Sequence, residues 1–90
     1  MIDVQLDQLR ALAWAVSEGT FERAAMRLRV TPSAISQRIK GLESSVGRVL
    51  LRRTRPVQPT ESGQAVLRLA RQLDLLVADT VRELGDPAPP

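Results

Sequence analysis

The sequence of residues 31–43 is TPSAISQRIKGLE, a stretch that combines a helix start with two different side-chain faces. Thr31 is a good N-cap, and Pro32 suits the first helical position, where a missing N–H costs nothing. At about 100° per residue, apolar and polar side chains fall on opposite sides of the predicted helix. The apolar side contains Ile35, Ile39 and Leu42, and the polar side contains Ser33, Ser36, Gln37 and Lys40.

The polar side of this helix has an unusual composition for a surface that only has to be solvated. Ser and Gln both bond base edges in a major groove, Gln bidentately to adenine, whereas Lys suits phosphate. The pattern favours a helix that contacts duplex DNA, with Ser33, Ser36 and Gln37 on bases and Lys40 on the backbone. The alternative is an ordinary amphipathic helix with a polar outer face, and the helix alone does not separate the two.

Composition limits the classes of function. The chain has 90 residues, 43% of them hydrophobic, which allows one small domain and no large active-site cleft. It contains no Cys and no His, which excludes Cys/His zinc sites, disulfides and Ser-His or Cys-His catalytic pairs. The Asp and Glu residues are scattered without an acid/base pair. We therefore expect no enzyme, metal site or cofactor in this chain.

The lack of a signal-peptide pattern or long apolar run predicts a cytoplasmic protein without a membrane partner.

Basic charge is concentrated around residues 31–43. Residues 20–56 hold nine Lys and Arg against two acidic residues, whereas residues 1–19 and residues 57–90 each sum to −2. Such a concentration predicts a polyanionic partner, because neutralised phosphates release counterions and supply sequence-independent affinity. A charged solvated surface is the alternative.

Two shorter helices are predicted before residue 31. The first has Gly19 as its stop and an apolar stripe of Leu6, Leu9, Leu12, Ala13 and Val16. Thr20 caps the second, whose inward face holds Phe21, Ala24, Ala25 and Leu28. About three residues then lead into Pro32. This arrangement predicts a helix-turn-helix, whose second helix enters the major groove.

A basic hairpin is predicted after the helix stop at Gly47. Residues 49–57, VLLRRTRPV, form two short extended pieces with a basic tip, which is typical of a β-hairpin wing. Arg53 and Arg55 lie at the tip, and a narrow A·T-rich minor groove attracts such side chains. The alternative is a solvated basic loop.

The last predicted helix, from Pro59-Thr60 to Leu84, has the most regular apolar pattern. Its length of roughly 37 Å is too great for a core of this size to cover. We expect homodimerisation through this helix, with packing on its own domain as the alternative. The heptad seam proposed for the dimer consists of Val66, Ala70, Leu73, Val77, Thr80 and Leu84. It is widened by Leu67, Leu69, Leu76 and Val81.

With these segments in place, the chain resembles the N-terminal DNA-binding domain of LysR-type transcriptional regulators from Leu6 to about Leu84. The resemblance is carried by Phe21 with Ala24-Ala25 and Leu28, residues 31–39 with Leu42-Glu43, Gly47 with Leu50-Leu51 and Arg53, and Pro59-Thr60 with Gly63. The segments FERAA (residues 21–25), SQRIK (residues 36–40) and PTESGQ (residues 59–64) are further similar to the branch that controls lysine and arginine export.

The resemblance implies roles for individual residues. Pro32, Ser33, Ser36 and Gln37 match family positions that contact bases and nearby phosphates, and Arg53 matches the wing arginine near the minor groove, with Arg55 beside it. The residues expected to contact the DNA backbone also include Thr31, Lys40 and Arg38, although an ion pair is an equal alternative for Arg38. The family typically binds an interrupted dyad as a dimer, and often assembles as a dimer of dimers.

The resemblance also implies a domain organisation. We expect a mainly α fold with three helices and a two-stranded wing in residues 1–58, a linker helix for dimerisation in residues 59–84, and the start of a hinge in residues 85–90. Family members continue into an effector-binding domain. The chain is therefore expected to be part of a longer protein, with a natural short form as the alternative. A lysine or arginine effector is expected only for that further domain.

Two positions depart from the family pattern. Leu51 stands where Phe is usual and should leave the fold intact, and Arg29 replaces a small turn residue. The leading hypothesis is a homodimeric, sequence-specific regulator of a lysine or arginine exporter gene. The rival is a short dimerising module that sequesters a full-length regulator, and a DNA titration against random duplex separates the two.

Overall fold

The computed structural model describes residues 2–87, which form four helices and a two-stranded sheet. The elements in chain order are α1 (Leu6–Glu18), α2 (Phe21–Leu28), α3 (Pro32–Val46), β1 (Leu51–Arg52), β2 (Gln58–Pro59) and α4 (Glu61–Leu84). The mainly α, winged helix-turn-helix fold predicted from the sequence is confirmed. Residues 88–90 of the predicted hinge lie outside the described residues. No helix between residues 2 and 87 combines the length and hydropathy that a membrane span requires.

Three threonines and two glycines set the helix ends, as the sequence predicts. The hydroxyls of Thr20, Thr31 and Thr60 each accept a hydrogen bond from the backbone N–H three residues later, at 3.0–3.1 Å. Gly19 and Gly47 end α1 and α3 in the left-handed conformation, with φ of 87° and 73°. These contacts satisfy amide and carbonyl groups that a helix end otherwise leaves without partners.

The turn between α2 and α3 places a non-glycine residue in the left-handed region. Arg29 has φ of 56°, and the next amide, that of Val30, donates to the Ala25 carbonyl at 3.0 Å. This conformation costs an L-residue about 1–2 kcal/mol, and glycine avoids that cost. The backbone conformation thus favours glycine at the position of Arg29.

The core lies where α1 meets the other three helices. Its fully buried side chains are Leu9, Leu12, Ile35, Ile39, Leu42, Leu50 and Leu67. Ala11 and Ala15 are also buried, although the single apolar stripe predicted for α1 omits them, because this helix packs on more than one side. Leu6, which the stripe includes, is exposed at the start of the helix.

The wing is an antiparallel pair in which Leu51 lies opposite Pro59 and Arg52 opposite Gln58. Its return strand begins later than the sequence predicts. The reason is that the Val57 amide donates to the Gly19 carbonyl at 3.0 Å, which docks the loop on the turn between α1 and α2 instead of pairing it with β1. Leu51 is buried, so the smaller residue fills this position without loss of the fold.

Residues 49–51 join the wing to two helices through their backbone. The Glu43 carboxylate of α3 accepts hydrogen bonds from the amides of Leu50, at 2.7 Å, and Leu51, at 3.4 Å. From the other side, the Thr60 amide donates to the Leu50 carbonyl at 3.0 Å, and the Thr60 hydroxyl donates to the Val49 carbonyl at 2.7 Å. The start of the wing is therefore fixed between α3 and the N-terminus of α4.

The start of α4 passes so close to the Leu50 backbone that only glycine fits at position 63. A Cβ at Gly63 would lie 2.0 Å from the Leu50 carbonyl oxygen, a backbone atom that cannot move aside. We expect Gly63→Ala to lower the free energy of unfolding by about 1–3 kcal/mol or more, measured by urea denaturation. Gly41→Ala is the matched control, because its Cβ would meet only the flexible Gln8 amide, at 3.0 Å. Glycine in a helix interior is itself unfavourable, so the control should be neutral or stabilising. A Gly63→Ala chain as stable as the wild type would contradict the assignment.

Candidate nucleic-acid interface

The two faces of α3 separate as the sequence predicts. Ile35, Ile39 and Leu42 are completely buried, and they fix the orientation of the helix on the core. Opposite them, Ser33, Gln37 and Lys40 are exposed and Ser36 is half-buried, with Thr31 and Pro32 exposed at the N-terminal end. We call Ser33, Ser36, Gln37 and Lys40 the reading face. It is an accessible row of hydrogen-bond donors and acceptors on a rigid helix.

The structure divides the basic residues of positions 20–56 into two groups. Three have carboxylate partners: Arg23 and Arg27 lie 3.7 and 3.5 Å from Glu18, and Arg38 lies 3.7 Å from Asp7. No carboxylate of residues 2–87 pairs with the other six, which are Arg29, Lys40, Arg48, Arg52, Arg53 and Arg55. The charge available to a polyanion is therefore on the turn before α3, on α3 and its C-terminal end, and on the wing.

Arg38 differs from the other predicted DNA-backbone residues. The sequence leaves a phosphate contact and an ion pair open, and the structure shows the ion pair, which links α3 to the first turn of α1. The Arg38 side chain is only 30% exposed. Its charge is directed toward Asp7, so we remove Arg38 from the set available to phosphate.

The wing arginines lie on the loop between β1 and β2, and both are exposed. The guanidinium carbon of Arg53 lies over the Phe21 ring, 4.6 Å from its centroid. A second such pair joins Arg27 to Trp14 at 5.2 Å, with Glu18 also contacting the Arg27 guanidinium. Trp14, which is not part of the predicted apolar stripe of α1, is half-buried.

Two residues position this interface through contacts that the sequence interpretation does not predict. The Glu43 carboxylate and the Thr60 hydroxyl hold residues 49–51. Glu43 lies in α3, whereas its partners Leu50 and Leu51 follow the end of that helix, so helix periodicity does not connect them. One signal was available, since Glu43 is one of two acidic residues within the basic segment.

The predicted dimer seam on α4 is partly occupied by the chain's own core. Ala70 is only 2% exposed, and Val66 and Leu73 are half-buried against the same core. Ala70 is therefore at odds with its predicted role at a second chain, because α1 already covers this side of the helix. Large apolar side chains that stay exposed on α4 are Leu69, Leu75, Leu76, Val81 and Leu84.

The helix-turn-helix, the exposed polar row on α3 and the basic wing together define a winged helix-turn-helix DNA-binding domain. Residues 6–64 match the family described as bacterial regulatory helix-turn-helix protein, lysR family. The chain belongs to this LysR family, whose members are transcriptional regulators, and it is not an enzyme.

Several relatives support this placement. The transcriptional regulator LysG of Mycobacterium tuberculosis is 53% identical over 87 residues, which are 94% of this chain and 29% of that protein. The lysine export transcriptional regulatory protein LysG of Corynebacterium glutamicum is 45% identical over 85 residues, 94% of this chain and 28% of that protein. Its full-length structure has a TM-score of 0.87 at 44% identity, covering 91% of this chain and 29% of that one, and it has also been solved with the effector arginine bound.

A relative of similar length has been solved on DNA. The complex of the BenM DNA-binding domain with catB site 1 DNA has a TM-score of 0.81 at 32% identity, covering 88% of this chain and 86% of that one. By contrast, the chain spans less than a third of the two LysG proteins. The shared region is thus the DNA-binding fold.

We predict that Glu43→Ala loosens the wing without unfolding the three-helix core. The substitution removes the acceptor for two backbone amides, and leaving such groups without partners costs about 1–3 kcal/mol. Hydrogen exchange at the Leu50 and Leu51 amides, followed by NMR, should be faster than in the wild type. Both amides bond the same carboxylate oxygen, so Glu43→Gln can keep both bonds through its amide oxygen. Because bonds to a neutral acceptor are weaker, its exchange rates should lie between those of the wild type and Glu43→Ala. Unchanged exchange at both amides in Glu43→Ala would show that the carboxylate does not hold the wing.

Proposed function

We propose that this chain binds duplex DNA sequence-specifically as a homodimer and regulates transcription. The observation that supports this most directly is the exposed reading face of α3, which is held by a buried apolar face. It is flanked by cations with which no carboxylate of residues 2–87 forms an ion pair. A relative with this fold has been solved on DNA.

The proposed contacts follow from the chemistry of each side chain. Pro32, Ser33, Ser36 and Gln37 face base edges and adjacent phosphates, with Gln37 suited to a bidentate bond to adenine. The Thr31 and Lys40 side chains are proposed to contact the phosphate backbone of the DNA. Such contacts fix the position of a protein on the duplex, whereas base contacts supply sequence preference.

The wing completes the proposed footprint. Arg53 and Arg55 are exposed on the loop between β1 and β2, and no carboxylate of residues 2–87 neutralises them. A narrow minor groove has enhanced negative potential and attracts inserted arginines. We therefore propose that the wing contacts the minor groove beside the major groove that α3 enters.

We propose that α4 forms the dimer through the apolar side chains that its own core leaves uncovered. At about 100° per residue, Gly63, Leu67 and Ala70 share the core side, whereas Leu69 and Leu76 lie roughly a third of a turn away. Leu76 is 61% and Leu84 is 77% exposed. Val66, Leu73 and Val77 lie between these two sides and are half-buried. A second copy would cover the uncovered side.

A two-fold dimer implies a two-fold DNA site. Helix-turn-helix dimers contact half-sites separated by about one helical turn, roughly 34–36 Å, or by multiples of it. We therefore propose that the site is an interrupted dyad. Assembly of two dimers into a tetramer is proposed for a full-length protein.

The regulated pathway is proposed from the relatives alone. One relative is called a lysine export transcriptional regulatory protein, and a structure of that protein contains the effector arginine. We propose that this chain serves in the control of an exporter gene for a basic amino acid. The effector, lysine or arginine, would bind a domain other than the winged helix-turn-helix.

We predict that single substitutions separate base contacts from backbone contacts. Gln37→Ala should relax base preference at its contacted position by about 1–3 kcal/mol, whereas Lys40→Ala should weaken binding to all sequences alike. Lys40→Ala should also reduce the slope of log affinity against log salt by about 0.9. The measurement is selection from a randomised duplex pool, followed by titration of the selected duplex at several salt concentrations. An unchanged base profile in Gln37→Ala would remove Gln37 from the base-contacting set.

The same titration tests whether the chain binds DNA with any sequence preference. The wild-type chain should bind the selected duplex far more tightly than a random duplex of equal length. Equal, weak and steeply salt-dependent binding to both would favour the rival function, a dimerising module that sequesters another regulator.

We predict that Leu76→Asp converts the dimer to monomer. Burying a leucine contributes about 1.5–3 kcal/mol, and a carboxylate in its place has to be desolvated, so the dimer dissociation constant should rise by at least about tenfold. Sedimentation velocity at several concentrations measures it. Ala78→Asp adds the same charge to an exposed position of α4, on the side away from Leu76, and should leave the dimer intact. Equal effects of the two variants would rule out the proposed seam.

A further inference from the structure

The wing arginine has a partner that neither the motif pattern nor the relatives assign. The guanidinium carbon of Arg53 lies 4.6 Å from the centroid of the Phe21 ring, within the range of about 6 Å for a cation–π contact. Phe21 is the first residue of α2, and its half-buried ring packs on the core. A mobile surface side chain therefore rests on a fixed aromatic surface.

The loop that carries Arg53 is anchored on the same side of the molecule. The Val57 amide donates to the Gly19 carbonyl at 3.0 Å, and the Thr54 hydroxyl donates to the Pro56 carbonyl at 2.8 Å. Residues 53–55 and residues 19–22 line one cleft between the wing and the start of α2. The loop that carries Arg53 is thus bonded to the turn before α2, and the Arg53 side chain lies over the first residue of that helix.

The second cation–π pair of the domain shows what distinguishes Arg53. The Arg27 guanidinium lies over Trp14 but also 3.5 Å from Glu18, so its charge is already compensated. No carboxylate of residues 2–87 pairs with Arg53. The ring holds the Arg53 side chain without neutralising it.

We propose that Phe21 is a positioning residue for DNA binding, which holds the Arg53 guanidinium in place for the minor groove. A guanidinium that rests on a ring by its face keeps its five N–H donors available, because they all lie in the guanidinium plane. Confining a long side chain before binding also reduces the entropy lost when the complex forms. The inference rests on the proposed contact of Arg53 with DNA.

A double-mutant cycle tests the coupling, with the duplex that the wild-type chain selects from a randomised pool as probe. Arg53→Ala should weaken binding by about tenfold and lower the salt slope, because one phosphate-region charge is lost. Phe21→Leu keeps an apolar side chain at the same position and should weaken binding by about three- to tenfold, with an unchanged salt slope. In the Arg53→Ala background, Phe21→Leu should change affinity by less than about 1.5-fold.

Two further variants keep the test independent of stability. Phe21→Tyr retains the ring and should bind DNA as the wild type does. Arg27→Ala, which removes the cation of the other pair, should leave the coupling between Phe21 and Arg53 intact.

The outcomes distinguish the inference from the function on which it rests. If Phe21→Leu weakens binding equally with and without Arg53, the positioning role of Phe21 is wrong. The proposed contact of Arg53 with DNA would still stand in that case. If Arg53→Ala binds as tightly as the wild type, that contact is wrong and the inference fails with it.

Discussion

The backbone of residues 49–51 is the part of the molecule on which the placement of the wing depends. These residues supply two amides to the Glu43 carboxylate and two carbonyls to Thr60, so four polar groups of one short segment are bonded to other elements. A two-stranded hairpin is at best marginally stable by itself in water. Here β1 is instead held between α3 and α4, and the buried Leu50 and Leu51 anchor it in the core. The same bonds that hold the wing also fix the start of α4.

The distribution of ion pairs determines how the positive charge of the domain is used. Exposed ion pairs contribute little to stability, typically about 0–1 kcal/mol, so the pairs made by Arg23 and Arg27 are not needed to hold the fold together. Their consequence is electrostatic. Glu18 and Asp7 compensate the guanidinium groups on α2 and on the α1 side of α3. The remaining charge is concentrated on the turn before α3, on Lys40 and Arg48, and on the wing. The carboxylates thus leave uncompensated positive charge on only part of the basic segment.

The helices could be predicted from the sequence because their ends and apolar stripes are local. Thr20, Thr31 and Thr60 start helices, Gly19 and Gly47 stop them, and α3 buries Ile35, Ile39 and Leu42 as its spacing requires. Properties that depend on contacts distant in sequence could not be predicted. The sequence pattern places the return strand too early because the bond from Val57 to Gly19 spans 38 positions. It leaves two roles open for Arg38 because Asp7 belongs to another helix. Ala70 falls in the predicted seam for a related reason, since a heptad pattern does not say whether its partner is α1 or a second chain.

The first half of α4 packs on the domain core and the second half is exposed, and this difference would affect the geometry of a dimer. Gly63, Leu67 and Ala70 make the first half of this helix part of the domain core, and the Arg10–Asp74 ion pair, at 3.3 Å, adds a contact between α1 and α4 farther along. The second half carries Leu75, Leu76, Val81 and Leu84 exposed. In a dimer built on those side chains, the domain would be joined to its partner by a continuous helix and not by a flexible tether. A helix rises only about 1.5 Å per residue and bends little over this length, so the packing of α4 on α1 would set the distance between the two reading faces. Spacing preference would then depend on small residues such as Gly63 and Ala70, which lie outside the proposed DNA contacts.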